Sequence, residues 1–162
     1  MALWKHRNLL ATGARAPEFR LPRLDGGETQ LAEIVANGPA LLAFFKTSCP
    51  VCQFTLPFLA RLDSSQALPV YGISQNSEEE TREFVREFGV TFPVLLDTED
   101  SGFAASNAFG ISTVPTLFLV QRDGTLARVV EGWSQRDIDW LGLQAGTSVF
   151  RQDEHVPEWK AG

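Results

Sequence analysis

The chain has only two cysteines, Cys49 and Cys52, and they lie two residues apart in KTSCPVCQ (46–53). Sulfur at that spacing admits three chemistries. A structural zinc site wants four ligands and a catalytic one at least three. The two histidines, His6 and His155, lie near the chain ends, so a closed site would need a second molecule and no metal is expected. An inert disulfide across so short a gap restrains the unfolded chain little. Reversible thiol–disulfide exchange makes a more specific demand: the first sulfur must sit where a thiolate is stabilised, with the second in reach of it. A helix that starts at the motif meets both needs, because the free N–H groups and the dipole at its N-terminus favour a thiolate. Pro50 suits the first turn, where its missing N–H is not needed, and Val51 completes the pair between the sulfurs.

The elements around the motif agree with that placement. ALLAFF (40–45) is a continuous apolar run, as a strand covered on both faces should be. After the cysteines, Phe54, Phe58, Leu59 and Leu62 recur at helical spacing, with Pro57 expected to kink the helix. A C-x-x-C between a buried strand and a helix, inside a βαβ pattern, is a specific signal for redox chemistry.

The same patterning extends along the chain. EFRLPRLDGGETQLAEI reads as two extended pieces about a turn at Asp25-Gly26-Gly27. PVYGIS (69–74) and FPVLLD (92–97) read as strands. SEEETREFVREFG reads as a helix capped by Ser77, with Glu78, Glu79 and Glu80 in its first turn, and SGFAASNAFG (101–110) as a short helix. TLFLVQRDGTLARVVEG reads as a hairpin turning at Asp123-Gly124, and SQRDIDWLGL as a last helix capped by Ser134. Alternating strands and helices imply parallel pairing, and the closing hairpin adds antiparallel strands: an α/β fold with a mixed central sheet and helices on both faces. Residues 1–15 read as an arm, 16–145 as one domain, and 146–162 as a polar tail that either wraps the surface or frays.

Bulk composition excludes other classes. A net charge of −6 argues against nucleic acid as the main partner, and 44% hydrophobic residues allow a core that needs no disulfide staple. No apolar run approaches a membrane span. The basic start lacks the apolar stretch of a secretory signal, so cytoplasm is the expected compartment, with export the alternative if a signal once preceded the present Met.

LLAFFKTSCPVCQFTLPFLARL resembles the active-site segment of thioredoxin-like thiol–disulfide oxidoreductases, and most closely the TlpA/ResA-type redoxins of the AhpC/TSA-like superfamily. APEFRLPRLDGGETQL resembles their N-terminal hairpin, and FGVTFPVLLD their β-α insertion. Pro57 matches the proline of their active-site helix, and ISTVPTLFLVQRDGTL their cis-proline loop. The resemblance implies a thioredoxin fold with Cys49 as nucleophile and Cys52 as resolving thiol. It also implies a cis Val114–Pro115 bond that brings the Val114 backbone beside Cys49, with Thr113, Val114 and Pro115 forming the loop where a substrate's extended chain docks. The expected partners are protein or small-molecule disulfides and dithiols and a redox partner protein, with no cofactor and a monomeric chain.

The match also has departures. The usual Trp before the first cysteine is Ser48, a buried Asp is replaced by Ala43, and a Glu after the second cysteine by Thr55. The customary proton acceptors for the second thiol are therefore missing, and Cys52 is expected to rely on water, on the departing thiolate, or on an acid from elsewhere, for which Glu131 is one candidate. Lys46 reads as a solvated loop lysine, and Trp133 and Trp140 as packing residues. A peroxidase of the peroxiredoxin type is the competing function. It calls for P-x-x-x-T-x-x-C, but Leu42 and Lys46 stand at the Pro and Thr positions before Cys49, and Thr47 is one residue too close. A binding module without activity is the third reading, and an intact C-x-x-C weighs against it.

Overall fold

Strand β3 (Ala40–Phe45) is buried along its whole length because both of its faces are covered. Leu41, Ala43 and Phe45 enter one apolar cluster, and Ala40, Leu42 and Phe44 enter another on the opposite face. The computed structural model describes residues 8–162; His6 and the first seven residues of the arm lie outside the described residues.

Around β3 the sheet runs β5-β4-β3-β6-β7, with β4 Val70–Ser74, β5 Val94–Leu96, β6 Thr116–Val120 and β7 Leu126–Glu131. β3 pairs parallel with β4 and antiparallel with β6. The β4–β5 pair is parallel and the β6–β7 pair antiparallel. Helices α2 (Pro50–Asp63), α3 (Glu78–Glu87) and α5 (Gln135–Gln144) contribute to the first cluster, and α1 (Leu31–Ile34) and α4 (Ala104–Phe109) to the second. This is a mixed sheet with helices on both faces, preceded by an antiparallel hairpin of β1 (Arg20–Pro22) and β2 (Glu28–Gln30). The hairpin lies against β5, where the Leu24 amide donates to the Val94 carbonyl at 2.9 Å. Residues 13–16 lie along the start of β7, with the Leu126 amide donating to the Ala14 carbonyl and the Ala16 amide to that of Gly124.

The expected caps are present. Ser77 Oγ accepts the Glu80 amide at 3.3 Å, and Ser134 Oγ accepts that of Asp137 at 3.2 Å. Two elements differ from expectation. LAEI is a one-turn helix rather than extended chain, because the Glu33 carboxylate turns back to accept the Gln30 amide. The segment 101–110 is not one helix. A 3-10 turn (Glu99–Ser101) leads through Gly102 and Phe103, both at positive φ, into α4. The cause is Asp97, fully buried at the end of β5, whose carboxylate accepts the amides of Ala105 and Ser106 at 3.2 and 2.7 Å and holds the start of α4 there. Pro57 lies inside α2 without ending it.

Residues 146–162 wrap the surface. Val149 is buried, and Arg61 binds both the Val149 carbonyl and, at 2.7 Å, the Glu154 carboxylate. The Trp133 indole donates to the Pro157 carbonyl at 2.7 Å. β9 (Trp159–Lys160) then pairs antiparallel with β8 (Trp133–Ser134). Among the described residues no helix is long and apolar enough to cross a membrane.

Candidate active site

β3 delivers the chain to a loop that two side chains hold in place. The Thr47 amide donates to Asn76 Oδ1 at 2.9 Å, and Gln53 Nε2 donates to the Thr47 carbonyl at 3.0 Å. Cys49 is the N-cap of α2, and its Sγ accepts the Cys52 amide at 3.1 Å. Pro50 occupies the first turn, exposed to solvent, with Val51 half-buried behind it. One helical turn therefore separates two thiols of opposite character: Cys49 is half-exposed and Cys52 fully buried. Burial pushes the Cys52 thiol well above its ordinary value, with the Cys49 sulfur adding to the effect; a backbone hydrogen bond and the charge of Lys46 oppose it.

The second wall of the site is the loop before β6. The Val114–Pro115 bond is cis, and the Val114 carbonyl oxygen lies 3.4 Å from Cys49 Sγ, which donates to it. Thr113 is exposed, and its carbonyl accepts the Thr116 hydroxyl at 2.8 Å. Pro115 is buried, and its carbonyl accepts the Gly132 amide at 2.8 Å. Val114 is thus brought up to Cys49, with Thr113 and Pro115 as its neighbours in the chain. Pro57 lies two turns further along α2.

Ala43 is buried in mid-β3, and Thr55 Oγ1 is buried with no hydrogen-bond partner, the one such side-chain atom among the described residues. Glu131 is exposed at the end of β7, opposite Thr116. Lys46 is exposed. Trp133 is wholly buried, while Trp140 is half-buried under the Arg128 guanidinium, 3.7 Å from its ring centre. Among the described residues no three His, Cys, Asp or Glu side chains converge as metal ligands would.

The raised Cys52 value links the site to stability. A group protonated more strongly when folded than when unfolded contributes stability below its unfolded value and loses it above. With an ordinary thiol value of 9.0, the reduced protein should lose stability as pH rises past about 9. The loss should be at most about 1.4 kcal/mol per pH unit for one proton. Melting curves from pH 7 to 10.5 under reducing conditions, compared with Cys52→Ala, check this. The variant should show a shallower decline, and parallel curves would refute the assignment.

Sequence reasoning missed the segment beside this loop. Gly162 lies against the Val114 carbonyl, and the Lys160 carbonyl lies against Gly132. Trp159-Lys160 has no local pattern that announces pairing with Trp133-Ser134, and a proline at 157 that ends the preceding stretch is the only clue.

A dithiol at the head of a helix, facing a cis-proline loop on this sheet, defines the thioredoxin-fold class. The thioredoxin domain of a thiol-disulfide oxidoreductase from Bacteroides vulgatus shares the fold with a TM-score of 0.74 at 20% identity, covering 86% of this chain and 99% of that one. Within the class, the chain belongs to the AhpC/TSA family, whose model matches residues 12–129. It is 30% identical over 130 residues to the thiol-disulfide oxidoreductase ResA of Halalkalibacterium halodurans, covering 78% of this chain and 72% of that protein. It is 28% identical, with the same coverage, to the ResA of Geobacillus thermodenitrificans. Relatives of these names support an oxidoreductase enzyme.

Proposed function

We propose that this protein is a dithiol–disulfide oxidoreductase in which Cys49 attacks and Cys52 resolves. The observation that carries the reading is the contrast between the two sulfurs: one half-exposed, with an amide and a carbonyl aimed at it, the other sealed one turn below. The Cys49 thiolate attacks one sulfur of a substrate disulfide. The substrate S–S bond breaks, a Cys49–substrate disulfide forms, and the departing thiolate takes up a proton. Cys52 then loses its proton and attacks the Cys49 sulfur, which releases the second substrate thiolate. Two electrons pass to the substrate and a Cys49–Cys52 disulfide remains; the reverse sequence oxidises a dithiol. The substrate chain docks in extended form along the Val114 backbone, beside Thr113 and Pro115. Its partners are protein or small-molecule disulfides, with a redox protein that resets the pair. A titration against glutathione buffers tests the reading: Cys49 and Cys52 should interconvert as one two-electron couple, and failure to form the internal disulfide would refute it.

The resolving step should depend on pH. Only a thiolate attacks, and burial holds Cys52 protonated, so its rate should rise with pH by about tenfold per unit and continue rising to at least pH 8. Neither Ala43 nor Thr55 can accept the proton, so no carboxylate inflection is expected between roughly pH 5 and 7. Single-turnover reduction of a peptide disulfide from pH 5 to 9, in wild type and Glu131→Gln, checks this; an inflection near pH 6 that vanishes in the variant would make Glu131 the acceptor.

Peroxide separates this reading from a peroxidase. With Lys46 where a peroxide-orienting Thr would stand, Cys49 should react with hydrogen peroxide no faster than an ordinary reactive thiol. Stopped-flow rates orders of magnitude above those of free thiols would favour the peroxidase.

A further inference from the structure

The backbone edge of the loop before β6, proposed to receive substrate, is already partly occupied. The Val114 carbonyl oxygen accepts the Cys49 thiol, and the backbone of Gly162 lies against the same carbonyl. A Cβ on Gly162 would collide with that oxygen and lie 2.9 Å from the Val114 carbonyl carbon, so only glycine fits in this register. Upstream, Ala161 and Lys160 run past Gly132, where the same crowding excludes a side chain, and Gly132 keeps its positive φ of 70°. The Lys160 ammonium stands 5.5 Å from the centre of the Phe54 ring, on the helix that carries both cysteines. The final hold is light. Through Pro157 and Glu158 the segment is tied to Trp133 and Gln135, but residues 159–162 are solvent-exposed, held by a two-residue ladder and the contact of Lys160 with Phe54.

We propose that residues 159–162 are a built-in occupant of the substrate edge, which an extended peptide must displace before its disulfide reaches Cys49. The occupant also describes the peptide that fits: a small residue against Val114 and a cation two positions earlier, over Phe54. Small disulfides that make no strand contact reach Cys49 without displacing it. The inference rests on Cys49 being the attacking thiol.

The test compares the full chain, a chain ending at Glu158, and full-length Gly162→Val. The shortened chain keeps the Pro157 and Glu158 carbonyls that serve Trp133 and Gln135, and its circular dichroism should match that of the full chain. An occluded edge lowers apparent affinity by the fraction of time it is open. Both altered chains should therefore reduce a peptide disulfide with kcat/KM about tenfold higher, through KM, as when one or two hydrogen bonds need no longer be broken. Reduction of hydroxyethyl disulfide should stay within about twofold in all three, the usual reach of a surface change. Added peptide EWKAG should bring the shortened chain back toward the full-length value. Equal peptide kinetics in all three chains, or equal acceleration of both substrates, overturns the proposal. Alkylation of Cys49 is a readout independent of turnover: an iodoacetamide carried on an extended peptide should react faster with the shortened chain, and free iodoacetamide equally with both. If no chain reduces disulfides but that contrast holds, the oxidoreductase reading fails and the occupied edge stands; if the contrast is absent, the occupied edge fails.

Discussion

Cys49→Ser should reduce insulin or a model disulfide no faster than the uncatalysed reaction. A serine hydroxyl is not ionised at neutral pH and cannot attack a disulfide at a useful rate. Cys52 cannot take over, because its sulfur is fully buried and held protonated. Cys52→Ser should behave differently. Its Cys49 is intact, so the first exchange proceeds, but nothing resolves the product, and covalent adducts with partner proteins should accumulate in cell extract. They should disappear on treatment with dithiothreitol, and mass spectrometry should place them on Cys49. Faster alkylation of Cys52 than of Cys49 at neutral pH would reverse the two roles.

The largest effect on stability is expected at Trp133. The ring is fully buried between Phe54, Phe58 and Phe150, with centroids 4.7, 5.1 and 5.8 Å away. Trp133→Ala removes that contact, leaves a cavity, and strips the Pro157 carbonyl of its donor. A loss of about 3–5 kcal/mol is expected from the cavity alone. Trp133→Phe keeps much of the ring contact and loses the indole N–H, so it should cost less, with about 1 kcal/mol from the hydrogen bond. Denaturant unfolding of the three proteins should rank them in that order. A loss under about 1 kcal/mol for the alanine variant would mean the aromatic cluster contributes little.

What could be read from the sequence was what local chemistry decides. The run at 40–45 needs no partner to declare a strand buried on both faces, and Ser77 and Ser134 act on amides three residues away. The two cysteines were legible for the same reason, since cap, proline and spacing all lie within one turn. Pairings that span the chain were not. Asp97 looked like the polar end of a strand, and its role as anchor for α4 depends on how the chain returns at 105 and 106. The path of 146–162 depends on Arg61, Trp133 and Gln135, none of which marks it in advance. The cis bond at Pro115 was legible only through resemblance, because a lone Val-Pro reads more readily as a strand-start proline in trans.

Among the contacts made by residues 8–30, those of Leu24 on β5 and Ala14 on β7 fall on the outermost strands of the sheet. Outer strands carry unpaired amides and carbonyls that can template another chain. Here the turn that follows β1 shields one side and the stretch at 13–16 shields the start of the other. Trimming the chain to its sheet and five helices would leave those rows bare. Such a truncated protein should clump into intermolecular β-structure at concentrations where the full chain stays dispersed, so the N-terminal wrapping protects colloidal behaviour as well as shape.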